Sequence, residues 1–311
     1  MTASPISLER AVARFVVNFG WKDIDPAGMQ QVKDLLKDQL ANQIGASELP
    51  WSRQVRKSCK PHPGAATIVG ESARVEAAEA AYLNATYGHG FEYDDFAGNA
   101  HPGCCVIPTA LAVGEEVGAT LEQVVVAMVA GYETYVRIGR LGSPDLLNCG
   151  WQPHAVLANF RAAAVAANLY GLAEEQTLHA LAIALSHAGG TTEYASTGGS
   201  IKRAHAGMAV RNGIEAVDLA RAGVTGPLRF LTGNRGLYRT FVRKTVTDDA
   251  HIDFLPGDPL RIRDVMYKPY CCCAAIHAYI EARNRSGRER RTSWRWTPRV
   301  TAAPSMCTWT A

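Results

Sequence analysis

The stretch GHGFEYDDFAGNAHPG, residues 88–103, gathers His89, Glu92, Asp94, Asp95 and His101 into one glycine-framed segment between two apolar runs. Imidazoles beside carboxylates are equipment for proton transfer, because each neighbour can move the other's pKa toward neutrality. The same carboxylates can instead accept backbone N–H groups and hold a solvated loop together. Both readings stand on the sequence alone.

Four further polar patches fall at breaks between apolar segments. In NCGWQPHAVLANF, His154 follows Pro153 at a helix start, where the dipole disfavours imidazolium and favours a bound anion; a surface cap explains it equally well. EYASTGGSIKRAHAGMAVRNG presents Ser200, Lys202, Arg203 and His205 after glycines, a pattern suited to anion binding. It lacks GxxxxGK[ST] spacing, which argues against a nucleotide phosphate loop. GPLRFLTGNRGLYRTF sets Arg235 between glycines. YKPYCCCAAIHAYIEA flanks a run of small residues with Lys268 and His277, and a lone His on an apolar face is commonly a core residue. No G-x-S-x-G elbow is present, so a nucleophilic hydrolase has little support.

Helices must position these groups. SLERAVARFVVNF starts with Ser7 as N-cap. DPAGMQQVKDLLKDQLANQIGA offers Asp25 as cap and Pro26 at the first helical position, with apolar residues then recurring at helical spacing. ARVEAAEAAYLNATYGHG reads as a third helix ending where the acidic cluster begins. Pro108 opens a helix that Gly118 closes, and Thr120 caps a longer apolar one. HAVLANFRAAAVAANLYGL and EEQTLHALAIALSHAGG form another pair, whose small residues permit close contact. Strand character is thin before residue 240 and modest around FVRKTVTDD. The expected fold is mainly α.

The 311 residues are 47% hydrophobic and 20% charged, enough chain for one large domain or two smaller ones. No apolar run is long enough for a transmembrane helix, and the N-terminus has no secretory h-region, so a cytoplasmic protein is expected. From Arg283 onward seven arginines face one glutamate, so the net +3 hides a body of about −3 and gives no nucleic-acid footprint. The eight cysteines include Cys104-Cys105 and Cys271-Cys272-Cys273. Without a pair of CxxC motifs they read as reduced thiols rather than a zinc site or disulfide framework. Residues 283–311 lose apolar periodicity and hold three of six tryptophans, an atypical basic tail.

Taken in order, the patches resemble the MmgE/PrpD family of 2-methylcitrate dehydratase, cis-aconitate decarboxylase and iminodisuccinate epimerase type. The first is similar to its H-x-x-[DE]-[FY]-D-D … H-P-[SG] signature, here His89, Glu92, Tyr93, Asp94, Asp95, His101, Pro102 and Gly103. PTALAVGEEVGATLEQVVVAMVAGYE resembles the alanine-rich helix pair, GGSIKRAHAGMAVRNG the lysine segment, and KPYCCCAAIHAYIEA the K-x-Y-x-x-C-x-x-x-H segment. The resemblance runs from about residue 8 to 282. It implies a helical domain over 1–265, the start of an α+β lid at 266–282, and a homodimer built through the helices. It further implies a lyase or isomerase on a small di- or tricarboxylate, working by acid–base chemistry without cofactor or metal and without nucleic-acid or membrane partners. By position His101, Glu92, His277 and His154 are its catalytic candidates, and Lys202, Asp94, Gln152 and Lys268 its substrate contacts. Gln152 stands where many members have His, which leaves Gln152 and His154 as alternatives for that place. The similarity stops near Ala282, before the lid is complete. The alternatives are an epimerase and a non-catalytic remnant that keeps the helical dimer.

Overall fold

Helix ends fall where capping chemistry puts them. In the computed structural model, which describes residues 6–60, 62–98, 100–254 and 259–285, Ser7 accepts from Arg10 N ahead of α1 (Leu8–Asn18). Asp25 accepts from Gly28 N ahead of α2 (Pro26–Ala46), with Pro26 opening the helix. After α3 (Pro50–Ser58) comes a small antiparallel pair, β1 (Pro63–Thr67) and β2 (Arg74–Val75). α4 (Ala77–Gly88) then delivers the chain into the acidic loop.

α5 (Gly103–Val117) begins at Gly103, not at Pro108, which lies inside it. The reason is a cap from upstream: the Asp95 carboxylate accepts Gly103 N at 2.8 Å. Gly118, at φ 64°, closes the helix in the left-handed conformation. Thr120 and Gln123 form a reciprocal capping box for α6 (Leu121–Gly142). There follow α7 (Asp145–Asn148), α8 (Pro153–Leu169), α9 (Glu174–Ser186), α10 (Tyr194–Thr197), α11 (Ile201–Arg221) and α12 (Leu237–Phe241).

The mainly α expectation holds, but the strands are elsewhere. FVRKTVTDD forms the end of α12 and irregular backbone leading into a 3-10 segment, Asp248–Phe254, while the two strands among the described residues lie at 63–75. A β-prone run without a partner strand gains nothing from extension.

α8 sits at the centre, packed against α5, α6, α9 and α11, and α4 packs on α5 and α11. Small residues make this closeness possible. A Cβ on Gly207 would meet Tyr82 O at 2.3 Å, and one on Gly213 would meet Ala162 Cβ at 2.5 Å. α11 is therefore pressed against both α4 and α8. Its first turn carries Lys202 and Arg203.

By contacts the chain divides into two units, residues 1–271 and 272–311. In the second, the described residues form a 3-10 turn, Ala274–Ile276, and α13 (His277–Arg285). Most of the basic, tryptophan-rich tail lies outside the described residues. Among the described residues no helix is long and apolar enough to cross a membrane.

Candidate active site

Asp94 is the hub of the 88–103 loop. Its Oδ2 lies 2.9 Å from His89 Nδ1 and 3.7 Å from His101 Nδ1, and its Oδ1 lies 3.8 Å from Lys268 Nζ. Burial pushes the carboxyl up, but His89, His101 and Lys268 together hold it well below the usual carboxylate range. Lys268 arrives because Phe96 and Met266 exchange backbone hydrogen bonds, both 2.9 Å, which tie the loop to the segment before it. Lys268 Nζ also donates to Glu92 O at 2.8 Å.

His101 is a neutral ring of defined tautomer. Its Nδ1 is 3.0 Å from the Asp95 carbonyl oxygen, which can only accept, so Nδ1 carries the hydrogen and Nε2 of the neutral ring a lone pair. Burial, only partly offset by Asp94, brings its pKa down to about 3. The Asp95 carboxyl receives Gly103 N and, at 2.8 Å, the Tyr132 hydroxyl. Burial, with Asp94 adding to it, raises Asp95 to about 7.

His154 completes a group of three imidazoles. Its ring stacks on His89 at 5.0 Å between centroids and 15° between planes, and lies 6.0 Å from His101. Arg161 Nη2 donates to His154 Nδ1 at 2.7 Å, so the neutral ring carries its hydrogen on Nε2, which faces Cys105 Sγ at 3.6 Å and Cys104 Sγ at 3.8 Å. Burial first, then Arg161, lowers His154 well below the ordinary range. It therefore stays neutral. His89, Asp94 and His101, and separately Cys104, Cys105 and His154, bring potential metal-ligand atoms within 4.8 Å of one another. In the second group, ligation through His154 Nε2 would require giving up the Arg161 hydrogen bond.

The third feature is cationic. Lys202 Nζ lies 2.6 Å from Glu92 Oε1, and Arg203 Nη1 binds the same oxygen. Burial pushes Glu92 up, yet His89, Lys202 and Arg203 outweigh it and lower the carboxyl to about 2. An ionised Glu92 has no proton to donate at neutral pH. Its backbone sits at φ 60°, sparsely populated for a residue with a side chain.

Seven of the eight candidates from sequence lie in the first unit. Glu92, Asp94, His101 and Lys268 converge directly, Lys202 joins through Glu92, and His154 through its stacked ring. Gln152 caps α8, accepting His154 N at 2.9 Å, and donates to Tyr194 OH at 3.2 Å. His277 opens α13 in the second unit. Arg161 and Tyr132 were not anticipated. A single arginine inside the apolar run ANFRAAAVAA is the signal that could have found Arg161, since a buried guanidinium needs partners.

The MmgE/PrpD N-terminal domain matches residues 10–249. A cis-aconitate decarboxylase-like protein, oryM, of Aspergillus oryzae is 29% identical over 277 residues, covering 84% of this chain and 57% of that protein. A cis-aconitate decarboxylase of Aspergillus terreus is 29% identical over 293 residues, covering 87% and 58%. The Homo sapiens cis-aconitate decarboxylase is 28% identical over 212 residues, covering 65% and 43%. The chain thus spans little more than half the length of the fungal relatives. With more than half of its own residues matched, the chain belongs to the MmgE/PrpD family.

Proposed function

We propose that this chain carries the helical part of a lyase that decarboxylates or dehydrates a small di- or tricarboxylate, with cis-aconitate the first substrate to test. The observation that carries the reading is that one loop, residues 88–103, holds both a neutral, lone-pair-bearing imidazole, His101, and the Glu92 carboxylate to which the cations Lys202 and Arg203 are bound. The cations bind carboxylate groups. The entry of that negative charge raises the pKa of His101, so a ring that is neutral at rest takes a proton once substrate arrives. In a decarboxylation the C–C bond electrons remain on carbon as carbon dioxide departs, and His101 returns its proton to that carbon. In a dehydration the ring must instead still be neutral, and Nε2 removes the proton next to the carboxylate. The C–O bond breaks as the double bond forms, and the imidazolium so formed gives that proton to the departing hydroxyl, which leaves as water. Neither route calls on a cofactor or metal. Asp94 orients His101 and offsets its charge while it is protonated. His154 supports this arrangement by packing on His89.

Calorimetry with cis-aconitate tests the binding half. Lys202→Ala is expected to weaken affinity by at least about tenfold, roughly 1.4 kcal/mol. Carbon-13 NMR of the mixture tests the chemistry, with turnover by the parent protein and none by His101→Gln. A folded parent that binds neither cis-aconitate nor citrate would overturn the assignment.

A further inference from the structure

Glu92 matches an acid position of the family signature, yet its surroundings are those of a bound ligand. Its carboxylate lies against Lys202 Nζ at 2.6 Å and Arg203 Nη1, both on the single oxygen Oε1. Arg203 uses one nitrogen of its fork for this contact, and its Nε is buried without a hydrogen-bond partner. A carboxylate approaching from outside can engage that fork through two nitrogens, which is the stronger geometry. The Glu92 backbone meanwhile sits at φ 60°, a conformation glycine adopts freely and glutamate does not, with its carbonyl held by Lys268 Nζ. The chain accepts a strained backbone in order to present its own carboxylate to the two cations.

We propose that Glu92 is an internal occupant of the carboxylate site, a latch that substrate must displace, and not the acid of the reaction. The proposal rests on the reading of Lys202 and Arg203 as carboxylate-binding groups. It inverts the expected effect of mutating Glu92: a catalytic acid or substrate contact loses function when replaced, whereas a latch releases the site. Side-chain length matters for the same reason. Glu reaches both cations from the loop, and an Asp one methylene shorter does not span the same distance from the same backbone.

The latch also sets the apparent affinity. If the cations are free in only about a tenth of molecules, binding is about tenfold weaker than the open site would give. Glu92 is itself buried, so the latch opens only by swinging that side chain outward past its exposed neighbour Tyr93, while the loop stays pinned at Phe96. Lys202 and Arg203 retain 18% and 25% side-chain exposure, so an incoming anion reaches them from solvent.

The test uses succinate and inorganic sulfate as probes on the intact chain, by calorimetry and by thermal shift. Glu92→Gln keeps size and removes charge; Glu92→Gly removes the side chain and suits φ 60°, so at least one of the two is expected to fold. Both are expected to bind succinate roughly tenfold more tightly than the parent and to show a larger sulfate-induced rise in Tm. Adding Lys202→Ala to Glu92→Gln should abolish the gain. Unchanged or weaker succinate binding in both variants, with Lys202→Ala still reducing parent affinity, would overturn the latch and leave the carboxylate site standing. Folded parent and variants that bind neither probe nor cis-aconitate would remove the site and the latch together.

Discussion

Asp94 and Glu92 stand two residues apart and both are ionised, but they are held in opposite ways. His89 and Lys268, which flank Asp94, are fully buried like Asp94 itself, and His101 is only 14% exposed. The Glu92 carboxylate is also buried, at 10% side-chain exposure, but the two cations it leans on, Lys202 and Arg203, are 18% and 25% exposed. A charge pair in a low-dielectric interior cannot trade its partner for water, whereas a pair at a rim can. The difference separates a part of the site that must stay fixed from a part that exchanges ligands. It also divides the labour proposed above: proton handling in the interior, carboxylate binding at the edge.

The sharpest way to break this contrast is Asp94→Asn. It leaves the buried His89 and Lys268 facing a neutral amide, and losing one partner of a buried pair costs about 3–5 kcal/mol. Urea denaturation at pH 7 should show a loss of that order, and turnover should vanish. The native Asp94 pKa is depressed, so its stabilisation is present above the unfolded value near 4 and fades as the pH falls toward the folded one. The parent should therefore lose more stability than the variant below pH 4. A loss under 1 kcal/mol at pH 7 would place Asp94 on the same footing as the rim.

Asp95→Asn gives a smaller and differently shaped effect. Native Asp95 keeps its proton up to about pH 7, while in the unfolded chain the carboxyl ionises near 4. Its contribution to stability is full below the unfolded pKa and is lost as pH rises through the folded one. Between pH 4.5 and 6.5 the native state thus holds one proton that the unfolded state lacks. Removing the group should raise the slope of stability against pH by about 1.4 kcal/mol per unit in that window. Asparagine still offers an oxygen to Gly103 N, so α5 should keep its cap. Urea midpoints at four pH values check the slope, and identical slopes would mean that native Asp95 is ionised.

The sequence disclosed the fixed and exchangeable parts unequally. Helix starts were legible wherever a cap lies next to its helix, as with Ser7, Asp25 and Thr120. The start of α5 was not, because Asp95 caps it from eight residues upstream and Pro108 offers a more obvious local signal. His101, Asp94 and Lys268 were legible as candidates by type and by resemblance. Their protonation was not, since the His101 tautomer depends on a carbonyl, and the neutrality of His154 on its burial and then on Arg161 from the same helix. The role of Glu92 was the least legible. Nothing in EYDD announces a left-handed backbone, and the cations that hold the side chain are more than a hundred residues away.

The smallest expected effect is the loss of stability in Lys202→Met, and it tests the exchangeable side directly. Lys202 and Arg203 bind the same Glu92 oxygen, so removing the lysine leaves the arginine in place and also removes the repulsion between two adjacent cations. The methionine chain keeps most of the apolar stem against Tyr194, whose ring centroid lies 5.7 Å from Lys202 Nζ. Glu92 is buried but keeps Arg203, and the lysine that is removed is partly exposed, so the loss is set near the upper end of the about 0–1 kcal/mol of a solvent-reached pair and is screened by salt. The urea midpoint at pH 7 should shift by less than about 1 kcal/mol, and the shift should shrink between 0.05 and 0.5 M salt. The same preparation should nonetheless lose most of its affinity for succinate. Stability kept while binding is lost is the signature of a residue whose partner is meant to change. A stability loss as large as that of Asp94→Asn would instead make Lys202 part of the fixed interior, and the division between the two carboxylates would fail.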